Sequence, residues 1–279
     1  MSPRSLLLCV ALAGLVPGVA AAAAPSSETT RKVAASPTVE IRVDANTEVR
    51  GWDKSEIEVG GTTSPTISTS KDKVVISIDP ADADDLVVWV PRNTHVKVKT
   101  RTGDIDIAGL TGAATIETTA GDVEVGGDLR TLTVTTVSGN LEIHGVSTEL
   151  VAATVSGDLD ADRVRGRVRI ASSSGNIRLT HAAVSRLDVS TTSGDFRLVG
   201  KIEGSDKNTI KTISGDVGLR LAPKSPLQAS LVTLSGIIDA SLGTVTSTDE
   251  RHATVSIGSG GPRLDVGTMS GDIEIERKR

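Results

Sequence analysis

The sequence predicts an all-β protein that folds as a single-stranded β-helix, a β-solenoid with coils of about 18 residues. Three observations predict this. One glycine-centred motif recurs nine times at nearly constant intervals, and Asp or Asn follows the glycine in eight of the copies. Apolar and polar residues alternate on both sides of each glycine. The alternating segments are rich in β-branched residues, which favour strands.

The copies of the motif follow one another almost without interruption. The first four intervals are 18 residues, and the later ones are 19, 21, 21 and 35. The glycines are Gly103, Gly121, Gly139, Gly157, Gly175, Gly194, Gly215, Gly236 and Gly271. The last interval divides into two coils if Ala253-Thr254 occupies the place of a Gly-Asp pair, which predicts a tenth, degenerate coil there.

Each copy has the pattern of a strand, a turn and a second strand. Aliphatic residues or Phe196 stand two residues after the glycine, small or aliphatic residues stand four after and five before it, and Thr or Ser stands three before it. Period-two alternation on both sides means that each strand buries one face. The glycine allows a positive φ at the bend, and the neighbouring Asp or Asn is expected to close an Asx-type turn.

A string of hairpins in a sandwich or barrel is the alternative to a solenoid. The near-constant interval favours the solenoid, because each coil then places its equivalent residue over the previous one at the strand spacing of about 4.8 Å. A left-handed hexapeptide helix is excluded, because positions six residues apart hold polar residues such as Thr111 and Arg165.

Residues 1–24 have the layout of a secretory signal peptide. Arg4 precedes a short apolar run, and small residues extend to Ala24. The run is shorter than the roughly 20 apolar residues of a membrane span. Cys9, the one cysteine, lies within it, so the exported domain is expected to contain no disulfide.

The remaining chain is predicted to form one continuous domain. Residues 25–37 are polar and aperiodic and predict a flexible leader. Residues 38–98 are rich in strands but irregular, which predicts N-terminal β coils that cap the stack. Residues 99–279 are predicted to form the regular solenoid, and its final strand, 273–279, is expected to guard the C-terminal edge with charges.

Composition excludes one class of partner. The chain has 279 residues, a net charge of -5 and three aromatic side chains, Trp52, Trp89 and Phe196. A nucleic-acid-binding protein normally carries a basic surface and aromatic side chains on which bases stack. No nucleic-acid partner is therefore expected.

Outward-facing acids form the candidate binding site. The glycine-centred bend of each coil is called its corner. After four successive corners, acidic residues occupy the positions that point away from the core, so they are expected to stack into a double acidic ladder. Its members are Asp104, Asp106, Asp122, Glu124, Glu142, Asp158 and Asp160. Such a ladder could bind calcium through carboxylate oxygens, could dock a basic partner, or could be a solvated face.

No catalytic, cofactor or metal site is predicted. His95, His144, His181 and His252 fall at unrelated positions of the repeat, and Ser-Gly-Asp recurs too often to mark a catalytic serine. Two basic groups, one at Lys97, Lys99 and Arg101 and one at Arg163, Arg165, Arg167 and Arg169, could contact anionic envelope polymers, but pairing with neighbouring acids is the stronger expectation. Apolar residues two before the corner, such as Val137 and Met269, mark a contact surface if they are exposed.

Several segments together resemble a known family. Gly51-Trp52-Asp53-Lys54, Val90-Pro91-Arg92 and the repeated Thr-x-Ser-Gly-Asp-aliphatic units resemble the bacterial exported "putative adhesin" family, whose members are β-strand-repeat proteins of unknown function. The resemblance covers residues 38–279. It implies a right-handed β-helix in the cell envelope or outside the cell, and it implies no catalytic residues.

The sequence thus predicts a non-enzymatic, exported binding or structural module, located in the periplasm, the cell envelope or the extracellular space. Its partner would be an envelope or extracellular polysaccharide or protein. One alternative is a polysaccharide-active β-helix enzyme of the lyase type, which the near absence of aromatic residues disfavours. The other is an accessory protein of envelope-stress sensing.

Overall fold

The computed structural model describes residues 29–33, 37–61, 65–70, 73–78, 85–204, 206–222, 225–249 and 251–277. Within these ranges the regular structure consists of 23 β-strands and no helix. The predicted signal peptide, residues 1–24, lies outside the described residues. No helix in the described ranges could cross a membrane.

The strands follow one another with short connections through most of the chain. They are β1 (Thr29–Lys32), β2 (Thr38–Arg42), β3 (Thr47–Trp52), β4 (Glu56–Gly61), β5 (Thr66–Ser70), β6 (Lys73–Ser77), β7 (Leu86–Pro91), β8 (His95–Lys99), β9 (Ile105–Leu110), β10 (Ala113–Glu117), β11 (Val123–Thr135), β12 (Leu141–Ser156), β13 (Leu159–Ser174), β14 (Ile177–Ser193), β15 (Phe196–Ile202), β16 (Lys207–Lys211), β17 (Val217–Leu221), β18 (Leu227–Ser235), β19 (Ile238–Ala240), β20 (Thr244–Asp249), β21 (His252–Ile257), β22 (Arg263–Ser270) and β23 (Ile273–Arg277).

The strands form a β-solenoid, as the repeat predicts. Equivalent residues of successive coils pair in parallel, so that Leu141 lies beside Leu159 and Ala152 beside Ile170. The segments that follow the glycine corners form one sheet, called here the post-corner sheet, and the segments that precede them form the pre-corner sheet. Each coil contributes one rung to each sheet, and β11 to β14 each run through both.

The inward side chains of both sheets fill a single core. Their apolar members form one continuous cluster, from Val39 in the first coil of the chain to Ile275 in the last. Stacking is needed to bury them, because a single coil covers only a fraction of its own apolar face. The core therefore follows the axis of the stack rather than one layer between two independent sheets.

The coils at the N-terminal end are not stacked in chain order. The coil of β2 and β3 lies between the coil of β6 and β7 and that of β8 and β9. Antiparallel strands cover the outermost coil: β4 pairs with β7, and β5 pairs with β6. Part of the predicted flexible leader is also paired, since β1 adds antiparallel to β4.

The C-terminal end has the same arrangement. The coil of β22 and β23, last in the chain, is inserted between the coil of β16 and β17 and that of β18 and β19. The prediction that the final strand guards the edge is therefore wrong for the described part, 273–277, because β23 has a parallel neighbour on each side. The predicted coil at Ala253-Thr254 is also wrong: β21 is antiparallel to both β18 and β20 and covers the outermost pre-corner rung.

Candidate functional site

The inner column of the acidic ladder is part of the corner itself. One carboxylate oxygen, Oδ1, of each Asp accepts a hydrogen bond from the backbone N–H of the equivalent residue in the next coil. The distances are 2.9 Å from Asp104 to Asp122, 2.7 Å from Asp122 to Asn140 and 2.7 Å from Asp158 to Asn176. The amide oxygens of Asn140 and Asn176 accept in the same way.

These bonds join neighbouring coils, whereas the predicted Asx turn would have closed within one coil. In seven of the nine corners, from that of Thr100 to that of Thr212, the turn is closed instead by the buried Thr or Ser three residues before the glycine, whose hydroxyl donates to the carbonyl oxygen two residues further on. In the coil of Thr154 the acceptor is Ser156, at 3.2 Å. Each corner Asp thus uses Oδ1 for the stack, and its second oxygen is left for other contacts.

The outer column contains the other four predicted acids. Glu124 lies opposite Asp106 on one side and Glu142 on the other, and Glu142 lies opposite Asp160. Successive members are one rung apart, about 4.8 Å along the stack. Their side chains point outward because the alternating residues, Val123 and Val125 for example, point into the core.

The two columns line one groove on the post-corner sheet, with a volume of about 920 Å³. The structure brings together all seven predicted residues: Asp104, Asp106, Asp122, Glu124, Glu142, Asp158 and Asp160. It adds Glu48 and Asp85, which the sequence analysis missed. Glu48 lies directly opposite Asp106, because β3 pairs with β9. Its alternation with Thr47 and Val49 is the signal that could have identified it.

Among the described residues, arginines pair with the outer column at its two ends. Arg50 forms ion pairs with Glu48 and, at 2.8 Å, with Asp106. Burial raises the pKa of Asp106 above its ordinary value, with Arg50 opposing and Glu48 reinforcing that shift. At the other end, Arg178 lies 3.3 Å from Asp160. The middle of the column is therefore the most negative part of the groove.

No metal centre is formed in the parts of the chain that the structure describes. No group of three His, Cys, Asp or Glu residues in these parts is placed to hold a metal ion. Two histidines instead contact single acids: His144 lies 3.0 Å from Glu142, and His181 lies 2.7 Å from Asp162. His95 lies 3.4 Å from the hydroxyl of Thr115.

The first predicted basic group pairs with acids, as expected. Glu117 accepts from Lys97 at 3.0 Å and from Lys99 at 2.6 Å. Arg101 pairs with Asp44 at 2.7 Å. In the second group, Arg163, Arg167 and Arg169 lie 3.5 to 3.7 Å from Asp162, Glu149 and Asp188.

The apolar residues two before the corner are exposed. About half of the surface of each is accessible, and they are Val137, Val155, Ile213, Leu234 and Met269. Ile213, Met269 and Leu234 belong to three consecutive coils near the C-terminal end, because β22 lies between β16 and β18.

Solved structures resemble the chain at low identity. A "putative cell adhesion protein" from Clostridium sporogenes is 14% identical, with 90% of this chain and 99% of that chain covered and a TM-score of 0.24. "Putative adhesins" from Parabacteroides merdae and Bacteroides fragilis are 12% and 11% identical. They cover 91% of this chain and 96% and 99% of their own, each with a TM-score of 0.29.

No curated protein matches the chain. The sequence profile of Toastrack DUF4097, in contrast, matches residues 26–276, which include every described coil of the stack. That range also contains the Gly-Trp-Asp segment at Trp52 and the recurring glycine corners from which a family resemblance was inferred. The chain therefore belongs to the Toastrack DUF4097 family.

Proposed function

We propose that this protein is a non-enzymatic, exported, adhesin-like binding module of the bacterial cell envelope, and that its acidic groove binds a basic macromolecular partner. The observation that carries the proposal is the unbroken outer column of carboxylates on five consecutive rungs: Glu48, Asp106, Glu124, Glu142 and Asp160. The layout of residues 1–24 supports export.

The acidic column opposes the stability of the stack. Like charges directly opposite one another on neighbouring strands repel and destabilise a sheet. In the middle of the column, Glu124 lies between Asp106 and Glu142, and no Lys or Arg among the described residues forms an ion pair with Glu124 or Glu142. A partner that places positive groups along the groove would remove this repulsion. The free energy of binding would become more favourable by the same amount.

The shape of the groove favours an extended partner. Five rungs span about 19 Å along the stack, and the floor consists of identical backbone rungs rather than a closed pocket. A flexible basic segment of a protein could follow such a floor and contact successive carboxylates. A small compact ligand would contact only two or three of them.

A basic partner fits the groove better than calcium. Calcium takes six to eight oxygen ligands at 2.3–2.6 Å. In the described residues no three acids converge on one point, and each inner-column Asp already uses one oxygen in the corner. Contacts to separate cationic groups, one rung apart, need no such convergence.

A polylysine titration tests the groove. We expect decalysine to bind the purified protein at low ionic strength and the E124Q/E142Q variant to bind at least tenfold more weakly, as measured by calorimetry. The control variant, E203Q/D206N, removes the same charge from exposed positions outside the groove and should bind like the wild type. Equal affinity of all three proteins would show that the groove is not the binding site.

A calcium titration distinguishes a basic partner from calcium as the ligand of the acidic ladder. We expect the melting temperature of the protein to be unchanged by millimolar calcium, because the acids do not form a coordination sphere. A rise in melting temperature that is absent from the D122N/E124Q variant would show that the ligand of the groove is calcium and not a basic partner.

The non-enzymatic character is tested with acidic polysaccharides. A lyase releases unsaturated products that absorb ultraviolet light. We expect no increase in absorbance when the protein is incubated with such polymers, with or without calcium. Sustained product release by the purified protein would contradict this part of the proposal.

A further inference from the structure

A second charged column lies on the opposite sheet. Arg167, Arg186, Lys207 and Arg263 occupy equivalent positions on four consecutive rungs of the pre-corner sheet, and we call them the basic ladder. Arg167 lies opposite Arg186, and Lys207 lies opposite Arg263. The register of β14 with β16 places Arg186 beside Lys207. All four side chains are exposed.

The cations of the basic ladder are only partly neutralised. Arg167 lies 3.5 Å from Glu149, and Lys207 lies 2.8 Å from Asp265. Among the residues that the structure describes, neither Arg186 nor Arg263 forms an ion pair. Exposed ion pairs contribute little to stability, so the two existing ones are readily exchanged for contacts with a ligand.

The surroundings leave an excess of positive charge. The neighbouring column of outward-facing residues on the same sheet contains Arg169, Asp188 and Asp265. Arg169 pairs with Asp188 at 3.7 Å, and Asp265 pairs with Lys207. With Arg169 and Lys211, these four rungs present six outward-facing cations and two anions, Asp188 and Asp265, while Glu149 belongs to the adjoining rung of β12. The whole chain has a net charge of -5, so the excess is a local feature and not a consequence of composition.

We propose that the basic ladder binds a linear anionic polysaccharide, with the polymer lying along the axis of the stack. Four rungs span about 14 Å, which suits a chain that presents a carboxylate on each sugar. Three of the four cations are arginines, and the guanidinium group can donate two parallel hydrogen bonds to one carboxylate. The partner is therefore recognised by charge repeated along a line.

The chemistry of this face favours a polysaccharide over a nucleic acid. Binding of single strands relies on aromatic side chains that stack on the bases. Trp52 and Trp89 lie in β3 and β7 at the far end of the other sheet, and Phe196 is buried. With these three as the complete aromatic set, the basic ladder has no stacking platform.

The basic ladder can be tested independently of the acidic groove. The two surfaces lie on different sheets and carry opposite charge, so the loss of one activity leaves the other testable. A variant that no longer binds decalysine should still bind the polysaccharide.

Binding of polygalacturonate tests the ladder directly. We expect the protein to bind this polymer at low ionic strength, with affinity that falls as salt is added. The R186Q/R263Q variant should bind at least tenfold more weakly. The control is R178Q/R197Q, which removes two exposed arginines that are also on consecutive rungs, but of the post-corner sheet, and it should bind like the wild type. Unchanged melting temperatures would show that both variants are folded.

Three further measurements can overturn the proposal. Fully methyl-esterified polygalacturonate, which lacks the charges, should not bind, and equal binding of it would contradict recognition by carboxylate. Tighter binding of single-stranded DNA would identify a nucleic acid as the partner. Self-association that R186Q/R263Q abolishes in sedimentation would identify the acidic groove of a second copy as the occupant of the ladder.

Discussion

Eight of the nine corner glycines have a positive φ, and Gly157 shows the two separate reasons why glycine is required at these corners. Gly157 has a φ of 126°, a conformation that residues with a side chain rarely adopt, and an added Cβ would lie 2.1 Å from the carbonyl oxygen of Gly139. We expect G157A to lower the free energy of unfolding by about 3 kcal/mol, because the backbone is strained and the coils are pushed apart. Chemical denaturation measures this difference.

Gly126 provides the matched control. It has no positive φ, and the nearest atom to an added Cβ is the carbonyl oxygen of Ile107 at 4.0 Å. We expect G126A to change stability by less than about 1 kcal/mol. If both variants lost equal stability, the close approach of the coils at the corner would not be the cause.

The inner acids have a structural role that is separable from their charge. Asp122 accepts the backbone N–H of Asn140, and asparagine performs the same task at positions 140 and 176. We expect D122A to lower the free energy of unfolding by about 1 kcal/mol and D122N to leave it nearly unchanged. A loss in D122N equal to that in D122A would show that the negative charge is itself required.

At the scale of single strands, Glu40 joins β2 to β6. Its buried carboxylate accepts from Lys73 at 2.6 Å and from Arg42 at 2.8 Å. Lys73 and then Arg42 lower the pKa of Glu40 to about 2. Because this value is below that of the unfolded chain, the ionised form stabilises the fold, and the stabilisation is fully present above pH 4.5 and lost as the pH falls through about 2.

We therefore expect E40Q to lose on the order of 2 kcal/mol of stability at pH 7, since both partners are half-exposed. The difference between E40Q and the wild type should shrink as the pH is lowered from 4.5 towards 2. Thermal melting over this range measures it. A difference that stays constant with pH would show that ionisation of Glu40 is not the source.

The strands of the regular coils could be predicted from the sequence because each position repeats one environment. Val123, Leu141 and Leu159 face the same core two residues after their glycines, so period and alternation agree. The antiparallel strands could not be predicted in this way. Val255 and Ile257 in β21 alternate as a coil strand would, and alternation does not distinguish a parallel neighbour from an antiparallel one.

The order in which the coils stack could not be predicted from the repeat either. A periodic pattern fixes which residues face the core, but it does not determine which coil lies beside which. Glu48 joins the acidic column only because β3 pairs with β9, and Arg263 joins the basic ladder only because β22 pairs with β16. The acidic column is therefore longer in the structure than the sequence predicts, and of the basic ladder the sequence predicts only Arg167, as a member of a basic group.

At the scale of the whole molecule, the inserted last coil predicts how the C-terminal end responds to truncation. Removal of residues 263–279 deletes the contacts of β22 and β23 with the coils on both sides. We expect residues 225–257 to become sensitive to limited proteolysis in this variant, while residues 95–200 remain protected, because each coil depends only on its neighbours.

A chain that ends at Arg277 is the control, and its proteolysis should match that of the wild type. Cleavage products are identified by mass spectrometry. Continued protection of residues 225–257 after the longer truncation would mean that β18 to β21 are held by something other than the inserted coil.

The position of this last coil also bears on how the protein is completed. Synthesis proceeds from the N terminus, so β18 to β21 are made before β22 and β23, with which β18 and β19 pair. They pair with one another, but in the described residues their strand pairing with the rest of the stack runs through β22 and β23, which lie beside β16 and β17. We therefore expect insertion of this coil to come late in folding, and we expect a chain that lacks it to have a protease-accessible end.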